Sequence, residues 1–485
     1  MHSYFLGIDV GTQGVRTVLL DESGNTIGST EKVFPLTRHS REEQSPAVWW
    51  ESAFECLQNL LVSAGKVIDI KAVKAVSVTS TSGTVIPLDE HNEPLHDALM
   101  YSDTRPAAEG KLCRETAERY HPHGYTGFNA SSGLSKMVWF VNHFPEKAAR
   151  INTWIHATDF IIGKLSGDYS YTDYTNALKS GFDVGTGEWP AWLTEHLPLR
   201  REWLQEVVPS GTQIGRLLPE LSKSLGLKPI QVIAGMTDGC ASQVASGAVQ
   251  PGDWNTTIGT TLVVKGVTTQ EVRDPEGRLY SHRHPEGYWM PGGAGNIGAD
   301  WVSAGFADEL PALTAAAAEL IPTGLIAYPL LQQGERFPFI APQARGFAPD
   351  NANRAATFAA NMEGVAFVER YAYEMIESLS GEDVNAVYTA GGGSNSDIWL
   401  TIRANVLNRP VHKCANVTGA AGAAIVAAAG SYFATLTEAA RAMTRIEKTI
   451  RPEPALTEAY ERQHRNFIQT LTEKGFIAGP VPITH

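Results

Sequence analysis

Two stretches of this 485-residue chain carry residue types that could handle phosphate. The first is Tyr4-Phe-Leu-Gly-Ile-Asp-Val-Gly-Thr-Gln-Gly-Val-Arg-Thr-Val-Leu-Leu-Asp21. Phe5, Leu6 and Ile8 read as one strand and residues 15–20 as its hairpin partner. Between them, Gly11, Thr12, Gln13 and Gly14 let the backbone bend and approach a ligand. Their N–H groups and the Thr12 hydroxyl could face one anion. Asp9 at the strand end would repel that anion unless a cation lay between, which suggests Mg²⁺. A plain hairpin with a polar turn explains the same residues equally well.

The second stretch, Asp253-Trp-Asn-Thr-Thr-Ile-Gly-Thr-Thr-Leu-Val-Val-Lys265, repeats the plan about half a chain later. Gly259 is followed by Thr260 and Thr261, in the places of Thr12 and Gln13. A third candidate is Asp238 in Val232-Ile-Ala-Gly-Met-Thr-Asp-Gly-Cys240. A carboxylate within reach of an alcohol could take its proton during phosphoryl transfer. By composition alone, an N-cap for the following helix, read as residues 240–248, is the simpler role for Asp238.

These residues need strands to hold them. Residues 73–78 read as a buried strand leading into the hydroxyl run Thr79-Ser-Thr-Ser-Gly-Thr84, and 232–240 as a strand running into a loop. Residues 99–103 read as a short strand ending in Asp103. Ser45-Pro46 opens a helix with one apolar face through Trp50, Phe54, Leu57 and Leu61, ending near Gly65. Residues 107–165 look mainly helical, and Asp173-Tyr-Thr-Asn176 has little periodicity. Long helices are expected over 356–379 and 456–475, and a helix of small residues over 419–429. Gln250-Pro-Gly-Asp253 is the expected domain seam.

Composition bounds the partners. Hydrophobic residues make up 43% of the chain and the net charge is −13, with a pI near 5.6. Such a chain suits neither nucleic acid nor an anionic membrane surface. No run reaches the roughly 18 apolar residues of a membrane span. No signal peptide is read at the N-terminus. Cys56, Cys113, Cys240 and Cys414 are scattered and read as buried reduced thiols of a cytoplasmic protein.

Two glycine–threonine hairpins in related halves resemble the clamp of the actin-like ATPase superfamily, and further segments resemble FGGY-type carbohydrate kinases. Gly235-Met-Thr-Asp238 is similar to that family's G-x-x-D segment. Gly334-Glu-Arg-Phe-Pro338 with Ala344-Arg-Gly346 is similar to its GERxP…PxARG stretch, Glu363-Gly-Val-Ala-Phe367 to its LEGVAF helix, and Ala390-Gly-Gly-Gly-Ser394 with Trp399 to its adenosine loop. The resemblance spans residues 4–430. It departs from the E-x-x-A-x-G-A pattern at Val417, where the family usually has glutamate.

The resemblance implies an α/β fold of two actin-like ATPase (ribonuclease H-like) domains with a nucleotide cleft between them. Residues 1–249 would bind sugar and carry the base, and residues 250–485 would bind nucleotide. It implies ATP and Mg²⁺, with Asp238 as base and Asp9 and Asp238 near the metal. Gly11, Thr12, Gln13, Gly259, Thr260 and Thr261 would hold phosphates, and Gly391, Gly392, Gly393, Ser394 and Asn395 the adenosine. The expected partner is a small sugar, with no nucleic acid or membrane, and a homodimer is compatible with it.

Xylulokinases hold the sugar with a Q-M-H-G stretch, but Ser80-Thr-Ser-Gly83 lacks the Met and the His. In this and in Asp173-Tyr-Thr-Asn-Ala-Leu-Lys179 the chain resembles the D-ribulokinase branch more closely, so D-ribulose is the expected substrate and D-xylulose the alternative. Ser82, Asp103, Asp173 and Asn176, with Asp9, Thr12 and Asp238, would contact the sugar; Asp173 and Asn176 read equally well as a surface turn. The paired His282 and His284 have no third ligand nearby in sequence and read as non-metal residues. An actin-like or chaperone ATPase and a silent sugar sensor are the competing classes.

Overall fold

The computed structural model describes residues 2–481. The chain forms two compact units. The first comprises residues up to Ala245 with His282–Gly287 and Asn416–Thr444; the second comprises Ser246–Ser281, Tyr288–Ala415 and the chain from Arg445 onward. The expected boundary after Val249 falls four residues beyond Ala245. The segment Asn416–Thr444, read from sequence as part of the second domain, packs with the first unit.

In the first unit, β1 (Tyr4–Val10) pairs antiparallel with β2 (Gly14–Asp21), and β2 with β3 (Thr26–Val33). The hairpin register sets Asp9 opposite Arg16 and Val10 opposite Val15. On its other edge β1 runs parallel to β4 (Val73–Ser80). Edge strand β5 (Gln213–Arg216) pairs antiparallel with β6 (Gln231–Thr237), which is parallel to β4. Phe5, Leu6, Ile8, Val76 and Val78 are buried. Continuous apolar runs of this kind belong to strands covered on both faces. Helix Pro46–Ala64 buries Trp49, Ala53, Leu57 and Leu60 on one side, starting from proline at its first position.

A helix from late in the chain explains the unit's composition. A Cβ on Gly7 would fall 1.9 Å from the Ala420 carbonyl oxygen, so helix Gly419–Ala429 lies directly on β1. A Cβ on Gly422 would fall 1.9 Å from the Ala241 carbonyl oxygen, which sets the same helix against helix Asp238–Ala245. The small residues of both helices allow this approach.

The second unit repeats the topology. Strand β7 (Asp253–Ile258) pairs antiparallel with β8 (Leu262–Gly266), and β8 with β9 (Trp289–Ala294). β7 is parallel to β10 (Ala386–Ala390), β10 to β11 (Val411–Cys414), and β12 (Ile446–Ile450) closes the edge antiparallel. The order β9-β8-β7-β10-β11-β12 therefore matches β3-β2-β1-β4-β6-β5 strand for strand and sense for sense. One extra strand, Leu279–Arg283, lies outside β9. The half-chain repeat seen in two hairpins extends to whole sheets.

Helix Arg354–Ser380 crosses the second unit's core. Asn353 caps its start, accepting from Ala356 N–H, and left-handed Gly381 (φ 68°) ends it. Its Glu369 holds Arg403 in a fully buried bidentate pair, with both N···O distances 2.7 Å. Arg403 also donates to Thr389 Oγ1 at 2.6 Å, fixing the end of β10.

Two sequence expectations are corrected. No loop follows β6: Asp238 is the first residue of helix Asp238–Ala245, because the strand end feeds straight into a helical turn. The strand expected over 99–103 is reduced to Ala98–Leu99, and Asp103 sits in the turn after it, its N–H bonded back to the Met100 carbonyl. The four cysteines are buried and unpaired with one another. Among the described residues no helix is long and apolar enough to cross a membrane.

Candidate active site

Asp9, near the end of β1, and Asp238, directly after β6, both lie in the first unit, close enough for the Asp238 charge to act on Asp9. Burial raises the Asp9 carboxyl first, the Asp238 charge raises it further, and Arg16 opposes both, leaving it at about 7. A Cβ on Gly419 would fall 2.8 Å from Asp9 Oδ2, so the Asp9 carboxylate rests against the start of helix Gly419–Ala429. Asp238 Oδ1 accepts the Gly239 N–H at 2.7 Å. A carboxylate whose ionisation is made costlier by a neighbouring carboxylate suits a divalent cation between them. That chemistry fits Mg²⁺.

Gly235 owes its identity to the sheet. A Cβ there would fall 1.7 Å from the Val78 carbonyl oxygen, where β6 shifts register against β4. The bulge between Ile233 and Met236 aims the strand end that carries Asp238.

The Gly11–Gly14 turn is held from outside. Gln44 Nε2 donates to the Thr12 carbonyl at 2.9 Å and Trp49 Nε1 donates to Gln44 Oε1 at 2.9 Å. Gly14 is required by β3, since a Cβ would fall 2.4 Å from the Lys32 carbonyl oxygen, whereas Gly11 meets nothing closer than 3.5 Å. The Gly11 N–H closes the turn on the Gly14 carbonyl at 3.0 Å, and Gln13 is the most exposed residue of the four. Gln44 was not singled out from sequence, because nothing local marks a glutamine as a turn clamp.

The hydroxyl run at the end of β4 is largely spent inside the protein. Thr79 Oγ1 donates to the Met236 carbonyl at 2.7 Å, Ser80 Oγ meets Thr158 Oγ1 at 2.6 Å, and Thr81 Oγ1 meets Thr84 Oγ1 at 2.8 Å. Ser82 Oγ is the exception: it is buried and has no partner. Gly83 takes φ +84° so that the chain can pass Ser131.

Asp173 and Asn176 are buried, against the surface-turn alternative. Asp173 Oδ2 caps the turn Tyr174–Ala177, accepting from Thr175 N (2.7 Å), Thr175 Oγ1 (2.6 Å) and Ser210 Oγ (3.0 Å). Asn176 Nδ2 donates to Asp173 Oδ1 at 2.5 Å and to Thr158 Oγ1 at 3.4 Å, while its Oδ1 has no partner. Thr175 Oγ1 in turn accepts the Thr237 N–H at 2.9 Å. A hydrogen-bonded path thus runs from Ser80 through Thr158, Asn176, Asp173 and Thr175 to the residue preceding Asp238. Thr158 and Thr175 were missed in the sequence, since each is an isolated threonine.

Asp103 is buried and gripped by its neighbour: Arg105 donates Nε to both carboxylate oxygens (2.9 and 3.1 Å) and Nη2 to Oδ2 at 2.8 Å. Arg105 also reaches Glu43 at 2.7 Å and stacks over Trp139. Asp103 is anchored here as half of an ion pair. In the pair His282 and His284, burial pushes the His284 imidazole down to about 4, so it is neutral at pH 7. Among the described residues no group of three or more His, Cys, Asp or Glu could hold a metal.

In the second unit, Gly259–Thr261 turns between β7 and β8, with Ile258 opposite Leu262. Gly391 has φ +85°, and Cβ atoms on Gly391 and Gly393 would fall 2.7 and 2.9 Å from Ile258 atoms. Both glycines are therefore needed to seat the loop against the end of β7, beside Gly259. Gly392 faces open space, and Ser394 Oγ closes the loop on the Gly391 carbonyl at 2.7 Å. Asn395 is exposed. The other motif carboxylates are internal pins. Glu335 accepts from Asn296, Ile297 and Arg336 N–H groups, and Glu363 from Thr323, Tyr460 and Gln463.

The chain has known relatives. Residues 4–245 match the N-terminal domain of the FGGY family of carbohydrate kinases, and residues 254–431 match its C-terminal domain. A xylulose kinase of Bacillus subtilis is 27% identical over 94% of each chain. A gluconokinase of the same organism is 25% identical over 85% of this chain and 84% of its own. The solved xylulose kinase of Rhodospirillum rubrum superposes with a TM-score of 0.85 at 25% identity, covering 98% of this chain and 99% of its own.

Proposed function

The chain belongs to the FGGY family of carbohydrate kinases, and on that premise we propose that it transfers the γ-phosphoryl group of ATP to a hydroxyl of a ketopentose, D-xylulose foremost. Relatives named xylulose kinase that share nearly its whole length support the sugar. Two buried, unpartnered polar atoms in the segments assigned to the sugar, Ser82 Oγ and Asn176 Oδ1, support the polyol site. Leaving them so costs roughly 1–3 kcal/mol each. A polyol hydroxyl, which both donates and accepts, satisfies them.

Asp238 is assigned as the base. It takes the proton as the sugar oxygen forms its bond to the γ-phosphorus and the bond to the ADP oxygen breaks. Ser82, Asp173 and Asn176 orient the sugar, and Asp103 reaches it through its Arg105 pair. Asp9 and Thr12 border the reacting hydroxyl. Gly11, Thr12 and Gln13 are assigned to phosphate, as are Gly259, Thr260 and Thr261. Gly391, Gly392, Gly393, Ser394 and Asn395 are assigned to adenosine, with Gly392 offering the bare backbone a purine face needs. Mg²⁺, held by Asp9 and Asp238, would offset the charge of the nucleotide phosphates.

D-ribulose is the second reading, favoured by the short hydroxyl wall Ser80-Thr-Ser-Gly83 in place of a Met-His pair. Coupled ADP release measured with D-xylulose, D-ribulose, D-gluconate and glycerol decides between them. A ketopentose ahead of both others upholds the proposal, and gluconate or glycerol clearly first overturns it.

A further inference from the structure

His156 lies outside every motif, yet its ring joins three elements. Its Nδ1 is 2.9 Å from Asp159 Oδ2 and 2.9 Å from Thr172 Oγ1, and its Nε2 is 2.9 Å from Ser180 Oγ. With a proton on Nδ1, that single N–H is shared between Asp159 Oδ2 and Thr172 Oγ1, and Ser180 Oγ meets Nε2 on the far side of the ring. Asp159 is itself fixed, accepting the His156 backbone N–H at 2.9 Å as the start of helix Ala157–Ser166.

The order Asp159–His156–Ser180 is that of an acyl-transfer triad, but this site excludes that chemistry. Asp159 and His156 are each 2% exposed and Ser180 is 0% exposed. A Cβ on Gly133 would fall 2.4 Å from Ser180 Oγ, so the hydroxyl is packed closely against the Gly133 backbone. The ring's contacts point to a different use. Thr172 directly precedes Asp173, and Ser180 lies four residues after Asn176. On its other side His156 pairs in register with Val85, the residue after Thr84. The ring therefore grips both ends of residues 172–180 and sets them against the strand that leaves the hydroxyl run.

We propose that His156 is a positioning residue for the sugar site, holding Asp173, Thr175 and Asn176 in register with Ser82 and, through Thr237, with Asp238. This rests on the assignment of those residues to the sugar. A side chain that only filled the core would have no reason to engage two hydroxyls at the ends of one substrate segment.

The test uses the full chain. In His156→Phe, which keeps the volume and removes all three contacts, the sugar KM rises at least tenfold while the ATP KM stays within twofold. Amide exchange speeds up over residues 172–180. His156→Gln, which can still reach one hydroxyl, recovers part of the loss, and Ser180→Ala gives a smaller shift in the same direction should His156→Phe fold poorly. Sugar and ATP constants that move together, or exchange over 172–180 equal to wild type in both His156→Gln and Ser180→Ala, overturn the proposal. A wild-type chain that phosphorylates no sugar defeats the functional reading instead, and the exchange comparison still decides whether the ring holds the segment.

Discussion

Thr175 Oγ1 accepts the backbone N–H of Thr237 at 2.9 Å, one residue before Asp238. The same Oγ1 donates to Asp173 Oδ2 at 2.6 Å. A single buried hydroxyl thus couples the strand that carries the assigned base to the segment assigned to the sugar. Thr175→Val removes both bonds at equal volume and leaves buried polar groups unpaired. The expected loss is about 1–3 kcal/mol of stability, read in urea unfolding, together with a fall in kcat. A variant as stable and as active as wild type would show that the coupling has no weight.

Asp238→Asn keeps the shape of the residue at the helix start and removes the carboxylate. We expect kcat to fall by about 10²–10⁴, the usual contribution of a positioned base, with ATP affinity little changed. Turnover within about threefold of wild type, far short of the loss expected when a base is removed, would assign Asp238 to capping alone.

The Asp9 carboxyl, raised to about 7 by burial and by Asp238, makes stability depend on pH. Between its unfolded value and about 7 the folded chain binds more protons than the unfolded one, so stability falls as pH rises through that window. Asp9→Asn removes the penalty. Without nucleotide, its melting temperature should exceed that of wild type at pH 8 and match it near pH 4. A difference that does not change with pH would contradict the buried, repelled carboxyl.

Two glycines of one loop should behave differently. A Cβ on Gly391 meets the Ile258 carbonyl at 2.7 Å from a left-handed backbone, while one on Gly392 meets nothing within 4 Å. Gly391→Ala should lower the melting temperature. Gly392→Ala should leave it unchanged and raise the ATP KM, because the added methyl stands where a purine would lie. An unchanged ATP KM in Gly392→Ala would remove the adenosine assignment.

Ser82→Ala deletes the one unpartnered hydroxyl of the run. Losing one hydrogen bond of about 0.5–1.5 kcal/mol should cut the ketopentose kcat/KM by about two- to tenfold and spare the ATP KM. Equal effects on both substrates would place Ser82 outside the sugar site.

Local pattern alone determined much of this protein. Alternating and continuous apolar runs gave both hairpins, with Val10 facing Val15 and Ile258 facing Leu262, because strand pairing follows side-chain period and turn residues. The glycine–threonine turns, Asp9 and Asp238 were legible as candidates for the same reason: chemistry at a strand end needs particular residue types in a short window. Tertiary structure alone decided which glycines serve packing. Gly7, Gly14 and Gly235 are fixed by carbonyl groups of residues 420, 32 and 78, contacts that no sequence window spans. It also decided which hydroxyls are spent: Ser80 and Thr81 find partners and Ser82 does not, because hydrogen bonding depends on which distant groups arrive. Thr158, Thr175 and His156 were invisible for that reason, and so was the membership of helix Gly419–Ala429 in the first unit. A helix of alanine and glycine signals close packing, but its partner is set by the fold.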